Sequence, residues 1–464
     1  MYNCIGKRAF ISVLCMCALA LQPLLLAAEH SQPPTGPSTP LVQTPLQGPG
    51  EFALQEFSVF EDEYEGSLGY QLTGGQRADE LQNEPFAALK ACPKLKSAKP
   101  LYGKITFGDF LFNPGDTVTR YFTVDESQGE GKGYDTLYFD LNGDLDLTND
   151  APAKRLAEPP KGADPQDSTF FDTLKVNATF PKSGPAVFNI MPVLQRYSSD
   201  YQHAKFVVPT GRRGTITVGT EQVEAILAQG MAVSGRFDSK LTALIFDQKE
   251  DMVPCLGAIR KFGDTLYEFS ATPSGDKLTV RPYTGQYGEL KLPGGDKIFL
   301  GLLMDKERMI NVSDCPTQDG RQLVPLGDYA PIRLGIDSDK IRYGLSADIA
   351  GPGQQTSLPL IYAVKIRHEK PFTLAPGKDC VVKFNSPTPG LLRYRPGDQF
   401  KAEAMLYSPS LGVMISSFED KSKPQDEMTL PDGTKMQMYA SIDPEVKIVN
   451  AVGQTVAEGK MPFG

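Results

Sequence analysis

Along most of this chain, apolar and polar residues alternate in short runs punctuated by Gly, Pro, Asn and Asp. "KITF" (Lys104–Phe107), "TRYFTV" (Thr119–Val124) and "TLYFDL" (Thr136–Leu141) are rich in β-branched and aromatic residues and read as strands. Later segments carry turn signals between apolar runs. These are "QLVPLGDYAPIRLGI" (Gln322–Ile336), "PFTLAPGKDCVVKFN" (Pro371–Asn385) and "LRYRPGDQFKAEAML" (Leu392–Leu406). In such pairs Pro presets one turn angle and Gly accepts positive φ at the next position. "EVKIVNAVGQTVAEGKM" (Glu445–Met461) reads as a hairpin with Gly453 in its connection.

A weak repeat runs through the pattern. "GKITFG" (Gly103–Gly108) returns as "GTITVG" (Gly214–Gly219), "LYFDLNGD" (Leu137–Asp144) as "LIFDQKED" (Leu244–Asp251), "FFDTL" (Phe170–Leu174) as "FGDTL" (Phe262–Leu266) and "PKSG" (Pro181–Gly184) as "PSGD" (Pro273–Asp276). The offsets are 111, 107, 92 and 92, in order along the chain, as a duplicated module would give. One segment dissents: "TEQVEAILAQG" (Thr220–Gly230) has helical propensity and a terminal Gly. Its place in the repeat matches "DTVTRYFTV", so an extended backbone is expected across Val223 to Leu227. The expectation is an all-β chain, with two repeated β modules followed by a β-sandwich, Ig-like C-terminal region.

The N-terminus adds a compartment. Lys7 and Arg8 precede an apolar run ending in "LLLAAEH", the layout of a secretory signal peptide cleaved near Ala28. Leu14 and Met16 precede Cys15 and Cys17, where a lipobox needs a small residue. No later segment reaches the ~20 apolar residues of a membrane span. The expected organisation is a signal peptide over 1–28 and a Pro-rich linker over 29–50. A first module with an acidic loop follows over 51–200, then a degenerate second module over 201–295. Residues 296–464 form a sandwich region of one or two subdomains.

With 464 residues, 40% apolar and 22% charged, the composition is ordinarily globular. The net charge of −9 has no basic block to set against it, which argues against a nucleic-acid groove. Outside the signal, Cys92, Cys255, Cys315 and Cys380 are compatible with two disulfides or with buried thiols.

The densest candidate chemistry is "YFDLNGDLDLTND" (Tyr138–Asp150). Asp140, Asn142, Asp144 and Asp146 fall at alternate positions and Asp150 follows. Calcium takes six to eight oxygens, often from loops with carboxylates at such positions. Counted from Asp140, the loop starts like an EF-hand. It departs at position 6, where Leu145 replaces Gly, and at position 12, where Ala151 replaces the bidentate Glu. A strand, not a helix, precedes it. The competing reading is an Asx-rich turn. The mutual repulsion of the carboxylates of Asp140, Asp144, Asp146 and Asp150 favours a strand-borne Ca2+ site. In the second copy Lys249 stands at the intervening position, and no ion is expected there.

Catalytic signatures are sparse. The only histidines are His30, His203 and His368, and no H-E-x-x-H, G-x-S-x-G or Walker A pattern occurs. His203 in "SSDYQHAKF" reads as a surface or hydrogen-bonded residue, and "GRRG" (Gly211–Gly214) as a turn. Trp is absent, leaving Tyr197, Tyr201 and their like as aromatic platforms for a glycan.

"GYDTLYFDLNGDLDLTNDAP" (Gly133–Pro152), "GRFDSKLTALIFD" (Gly235–Asp247), "VPLGDY" (Val324–Tyr329) and "DPEVKIVNAVGQTVAEGKMPFG" (Asp443–Gly464) together resemble large, poorly characterised families of exported bacterial β-rich proteins. In these a "DxNGDxDL" loop follows a strand and an Ig-like sandwich often closes the chain. The resemblance implies export and β architecture and carries no activity. The expected function is therefore a binding or structural role at the cell envelope, toward a protein or glycan. The alternative is a secreted polysaccharide hydrolase working through paired carboxylates.

Overall fold

The computed structural model describes residues 50–460 except 61–71, 73–74, 80, 111, 114, 164–166, 199–200, 231, 248–254, 293–295, 319–320, 347–371, 376–379, 382–387, 396–400, 409–412, 430–434, 444 and 450–451. The signal segment and most of the linker, His368, Lys249 and Asp251 lie outside the described residues. The fold is all-β and built from several antiparallel sheets. Among the described residues no helix is long and apolar enough to cross a membrane.

The chain enters through β1 (Gly50–Ala53), β2 (Gln55–Ser58) and the short β3 (Gln76–Arg77). It continues through β4 (Leu101–Gly108), β5 (Thr117–Asp125), β6 (Thr136–Phe139) and β7 (Ala153–Lys154), an antiparallel sheet in that order. Next come β8 (Ser168–Phe170), β9 (Leu174–Phe180), β10 (Gly184–Ser198) and β11 (Tyr201–Val207). They form a sheet ordered β3-β11-β10-β8, with β9 also on β10. The boundary expected at 200/201 thus falls between two strands that pair with each other.

The third sheet contains β12 (Thr210–Val218), β13 (Glu221–Ala228) and β14 (Ala243–Phe246), with β2 on the free edge of β12. "GRRG" is therefore strand, not turn: Arg212 pairs with Glu56 at 2.6 Å and Arg213 lies over the Phe57 ring. The segment of helical propensity is the strand β13. The fourth sheet starts from β15 (Ala258–Phe262), β16 (Thr265–Ala271) and β17 (Lys277–Pro282), with β1 on β17. The opening strands therefore belong to sheets whose other members begin at Thr210, not to the region 51–200 in which the sequence had grouped β2.

The cores show how these sheets stack. Ile105, Phe107, Phe122 and Phe139 of the first sheet meet Val176, Phe188, Ile190 and Phe206 of the second. The opposite face of the second sheet, with Met191, Val193 and Val207, meets Phe57, Ile226, Ala228 and Ile245 of the third. The other face of the third, with Ile216, Val218, Val223 and Leu227, meets Tyr267, Phe269, Leu278 and Val280 of the fourth. Four layers thus enclose three cores. A strand in an inner layer is buried on both faces, so "AILA" (Ala225–Ala228) is apolar without a break. Strand β9 packs on one face, and its Leu174, Val176, Ala178 and Phe180 alternate with exposed Lys175, Asn177 and Thr179.

The meanders β4-β5-β6 and β12-β13-β14 coincide in register. Gly103 pairs with Phe122 and Phe122 with Phe139, as Gly214 pairs with Ala225 and Ala225 with Phe246. Asp140 N–H donates to the Tyr121 carbonyl at 3.0 Å, and Asp247 N–H to the Glu224 carbonyl at 2.9 Å. The following strands differ: β8 pairs with the C-terminal half of β10, whereas β15 forms a hairpin with β16.

The C-terminal strands do not begin a separate sheet. They are β18 (Tyr287–Lys291), β19 (Lys297–Met304), β20 (Met309–Asn311), β21 (Thr317–Gln318), β22 (Arg321–Pro325), β23 (Gly327–Asp337), β24 (Ile341–Ser346), β25 (Phe372–Leu374), β26 (Cys380–Val381), β27 (Thr388–Arg395), β28 (Lys401–Ser408), β29 (Val413–Thr429) and β30 (Lys435–Ser441). A parallel contact between β15 and β20 carries the fourth sheet on through β19, β23, β24, β29, β28 and β27. Strands β21, β22, β18 and β26 form a smaller sheet. A core of Leu303, Met304, Val324, Tyr329 and Ile336 lies between the two. An exposed ribbon, β31 (Glu445–Val449) with β32 (Thr455–Lys460), ends the described chain.

Candidate functional site

The acidic loop begins where β6 ends. Asp140 is fully buried, and its Oδ1 accepts from Gly143 N–H at 2.7 Å. The loop then repeats one device. Asn142 Oδ1 accepts from Asp144 N–H, Asp144 Oδ1 from Asp146 N–H, and Asp146 Oδ1 from Thr148 N–H, all between 2.8 and 2.9 Å. Asp150 Oδ2 reaches back to Leu141 N–H at 3.0 Å. The three contacts of Asn142, Asp144 and Asp146 are Asx turns, in which a short side chain satisfies a main-chain donor two residues on. Leu145 has φ +70°, a left-handed conformation at the position where an EF-hand carries glycine.

Two cations that sequence reasoning missed face this loop. Arg120 of β5 is buried, and its guanidinium lies against Gly143, where an added Cβ would sit 2.8 Å from Arg120 Cζ. Arg120 donates to the carbonyls of Thr119 and Asn177. Lys90 Nζ donates to the Asp144 carbonyl at 2.8 Å, and Leu147 N–H to the Ala91 carbonyl at 3.0 Å. The signal for Arg120 was its inward position in "TRYFTV", an Arg in a run otherwise apolar on that side; nothing marked Lys90.

Burial raises the pKa of Asp140, opposed by the Gly143 N–H and by Arg120. Burial likewise raises Asp150, helped by the negative charges of Asp140, Asp144 and Asp146. The Asn149 amide, donating at 2.7 Å, lowers Asp144. Of the five expected ligands, each has an oxygen committed to folding the loop. Asp140 Oδ2 is buried with no hydrogen-bond partner. Among the described residues no three His, Cys, Asp or Glu side chains converge as a ready metal cluster.

Elsewhere the expected chemistry is dispersed. His203 is buried, not on the surface. Burial, then Arg77 and Lys205, lowers its pKa to about 4. Cys92, Cys255 and Cys315 are free thiols, and the Cys380 side chain lies outside the described residues. So do the side chains of Tyr197 and Tyr201. A groove beside β16 carries Glu268 and Glu307, but a Lys240 hydrogen bond lowers the pKa of Glu307. A general acid needs the opposite shift. No protein-family model, curated protein or solved structure matches the chain.

Proposed function

We propose that this chain is an exported β protein with a binding or scaffolding role at the cell envelope, toward a protein or glycan partner, and that its acidic loop takes up calcium as a structural ion. The observation that carries the calcium reading is Asp140: a fully buried carboxylate facing the loop, with one oxygen unpartnered. Charge supports it. The carboxylates of Asp140, Asp144, Asp146 and Asp150 against Arg120 and Lys90 leave two negative charges, the complement of a divalent ion. The ion would tie the end of β6 to the 90–91 segment and, through Leu141 and Arg120, to Asn177 of β9. On this reading the coincident meanders are a duplicated module, and only the first copy kept the ion.

Extracellular calcium loops bind at about 10⁻⁴ to 10⁻³ M. At tenfold over Kd, binding to the native state adds about 1.4 kcal/mol, or about 3–6 °C in melting temperature for a domain of this size. Calcium should raise the melting temperature and EDTA reverse it, with magnesium less effective because it holds its waters. The double variant Asp144→Ala, Asp146→Ala should lose the response. A wild-type melting curve indifferent to millimolar calcium, with no heat of binding, would leave an Asx-rich turn.

A further inference from the structure

A groove of about 260 Å3 opens where the fourth sheet meets the β19–β20 turn. Its rim alternates in charge. Lys240 Nζ pairs with Glu307 at 2.6 Å, Arg308 Nη1 lies 3.5 Å from Glu268, and Glu268 stands across from Arg281 in the β16–β17 register. Arg308 is set in place by the Tyr283 ring, 5.5 Å from its Cζ, and by Asp305, 3.7 Å from its Nε. The wall is close-packed: at Gly257 a Cβ would lie 2.8 Å from Lys240 Cβ. Part of the exposed lining is apolar, although Leu256 and Ile259 are themselves almost wholly buried.

This chemistry selects by elimination. An anionic ligand meets Glu268 and Glu307, and a cationic one meets Lys240, Arg281 and Arg308. A hydroxyl both donates and accepts, so a neutral polyol satisfies both kinds of rim group, with its C–H face on the apolar lining. The volume falls below the ~300–1,000 Å3 of drug-sized pockets, which suits a single sugar ring.

We propose that this groove binds one neutral sugar unit of a glycan. The proposal rests on the binding-protein reading above but not on calcium at the acidic loop. A calcium-insensitive melting curve leaves it standing, and failure of sugar binding leaves the loop reading standing.

The test is calorimetry on the full chain with neutral trisaccharides of glucose, mannose, galactose and N-acetylglucosamine. A uronate trisaccharide and a blocked neutral tripeptide complete the panel. At least one neutral sugar should bind at millimolar concentration or better, and the uronate and the peptide should not. The variant Glu268→Gln, Arg281→Gln should weaken that sugar at least tenfold without moving the melting temperature. The proposal fails if no neutral sugar binds. It fails equally if the variant binds as well as wild type, or if the peptide or the uronate binds with the same sensitivity to the variant.

Discussion

At the scale of single residues, Asp140 and Arg120 pull the loop in opposite directions. Burial raises the Asp140 pKa because desolvation penalises its carboxylate in the fold, while Arg120 opposes the rise. Asp140→Asn keeps an acceptor for Gly143 N–H and removes that charge. In EDTA it should melt at or above wild type, and calcium should no longer raise its melting temperature. Arg120→Met does the reverse. It strips a buried positive charge that acts on Asp140 and Asp150, together with the hydrogen bonds to the Thr119 and Asn177 carbonyls, and should destabilise the calcium-free protein. Its calcium increment should exceed that of wild type, because the ion then supplies the missing positive charge. Differential scanning calorimetry of both variants, with and without calcium, reads this directly. His203 sets a separate dependence. Its folded pKa of about 4 lies below the ordinary value of 6.5, so the unfolded chain takes up a proton first as pH falls. Its contribution to stability is complete above about pH 6.5 and is lost toward pH 4, reaching about 3 kcal/mol. Urea midpoints at pH 7 and pH 5 should differ less in His203→Gln than in wild type.

At the scale of elements, burial on one face or two decides how a strand reads. Strand β9 carries a plain alternation, because its solvent face interrupts the apolar residues at every second position. Strand β13 was nearly illegible, because Val223 and Leu227 fill one core and Ile226 and Ala228 another. Over Ala225–Ala228 neither face is in water and no polar alternation remains, while Glu221, Gln222, Glu224 and Ala225 leave helix as the local preference. Only its alignment with β5 identified it as strand. The acidic residues were legible as a loop, whereas their hydrogen-bonding roles and Arg120 depended on the fold. The same argument sizes two substitutions. Ile226→Ala removes a side chain fully enclosed between layers and should cost about 2–5 kcal/mol. Val187→Ala, in β10 but 56% exposed, should stay within about 0.5 kcal/mol. Comparable losses from both, measured by urea denaturation, would contradict the layered packing.

At the scale of the molecule, pairing across long sequence separations joins what local patterns divide. Strands β1 and β2 lie more than a hundred residues from β12 and β17, and no periodicity announces that they pair. The β10–β11 hairpin supplies one face to the core shared with the first sheet and the other to the core shared with the third. The third sheet repeats this toward the fourth. No layer can therefore leave without uncovering the apolar face of its neighbour, and the cores should open together. The ribbon β31–β32 is the counter-case: its described side chains are exposed, Val452 and Val456 among them at 77% and 64%. A two-stranded hairpin alone is marginal in water. Native-state hydrogen exchange should separate the two regimes. Amides of β10, β11 and β13 should exchange only through global unfolding, with one common free energy and one dependence on denaturant. Amides of β31 and β32 should exchange through local opening, orders of magnitude faster and with almost no denaturant dependence. If β5 and β13 instead reported two distinct unfolding free energies, the first and third sheets would be independent units, and the shared second layer would not couple them.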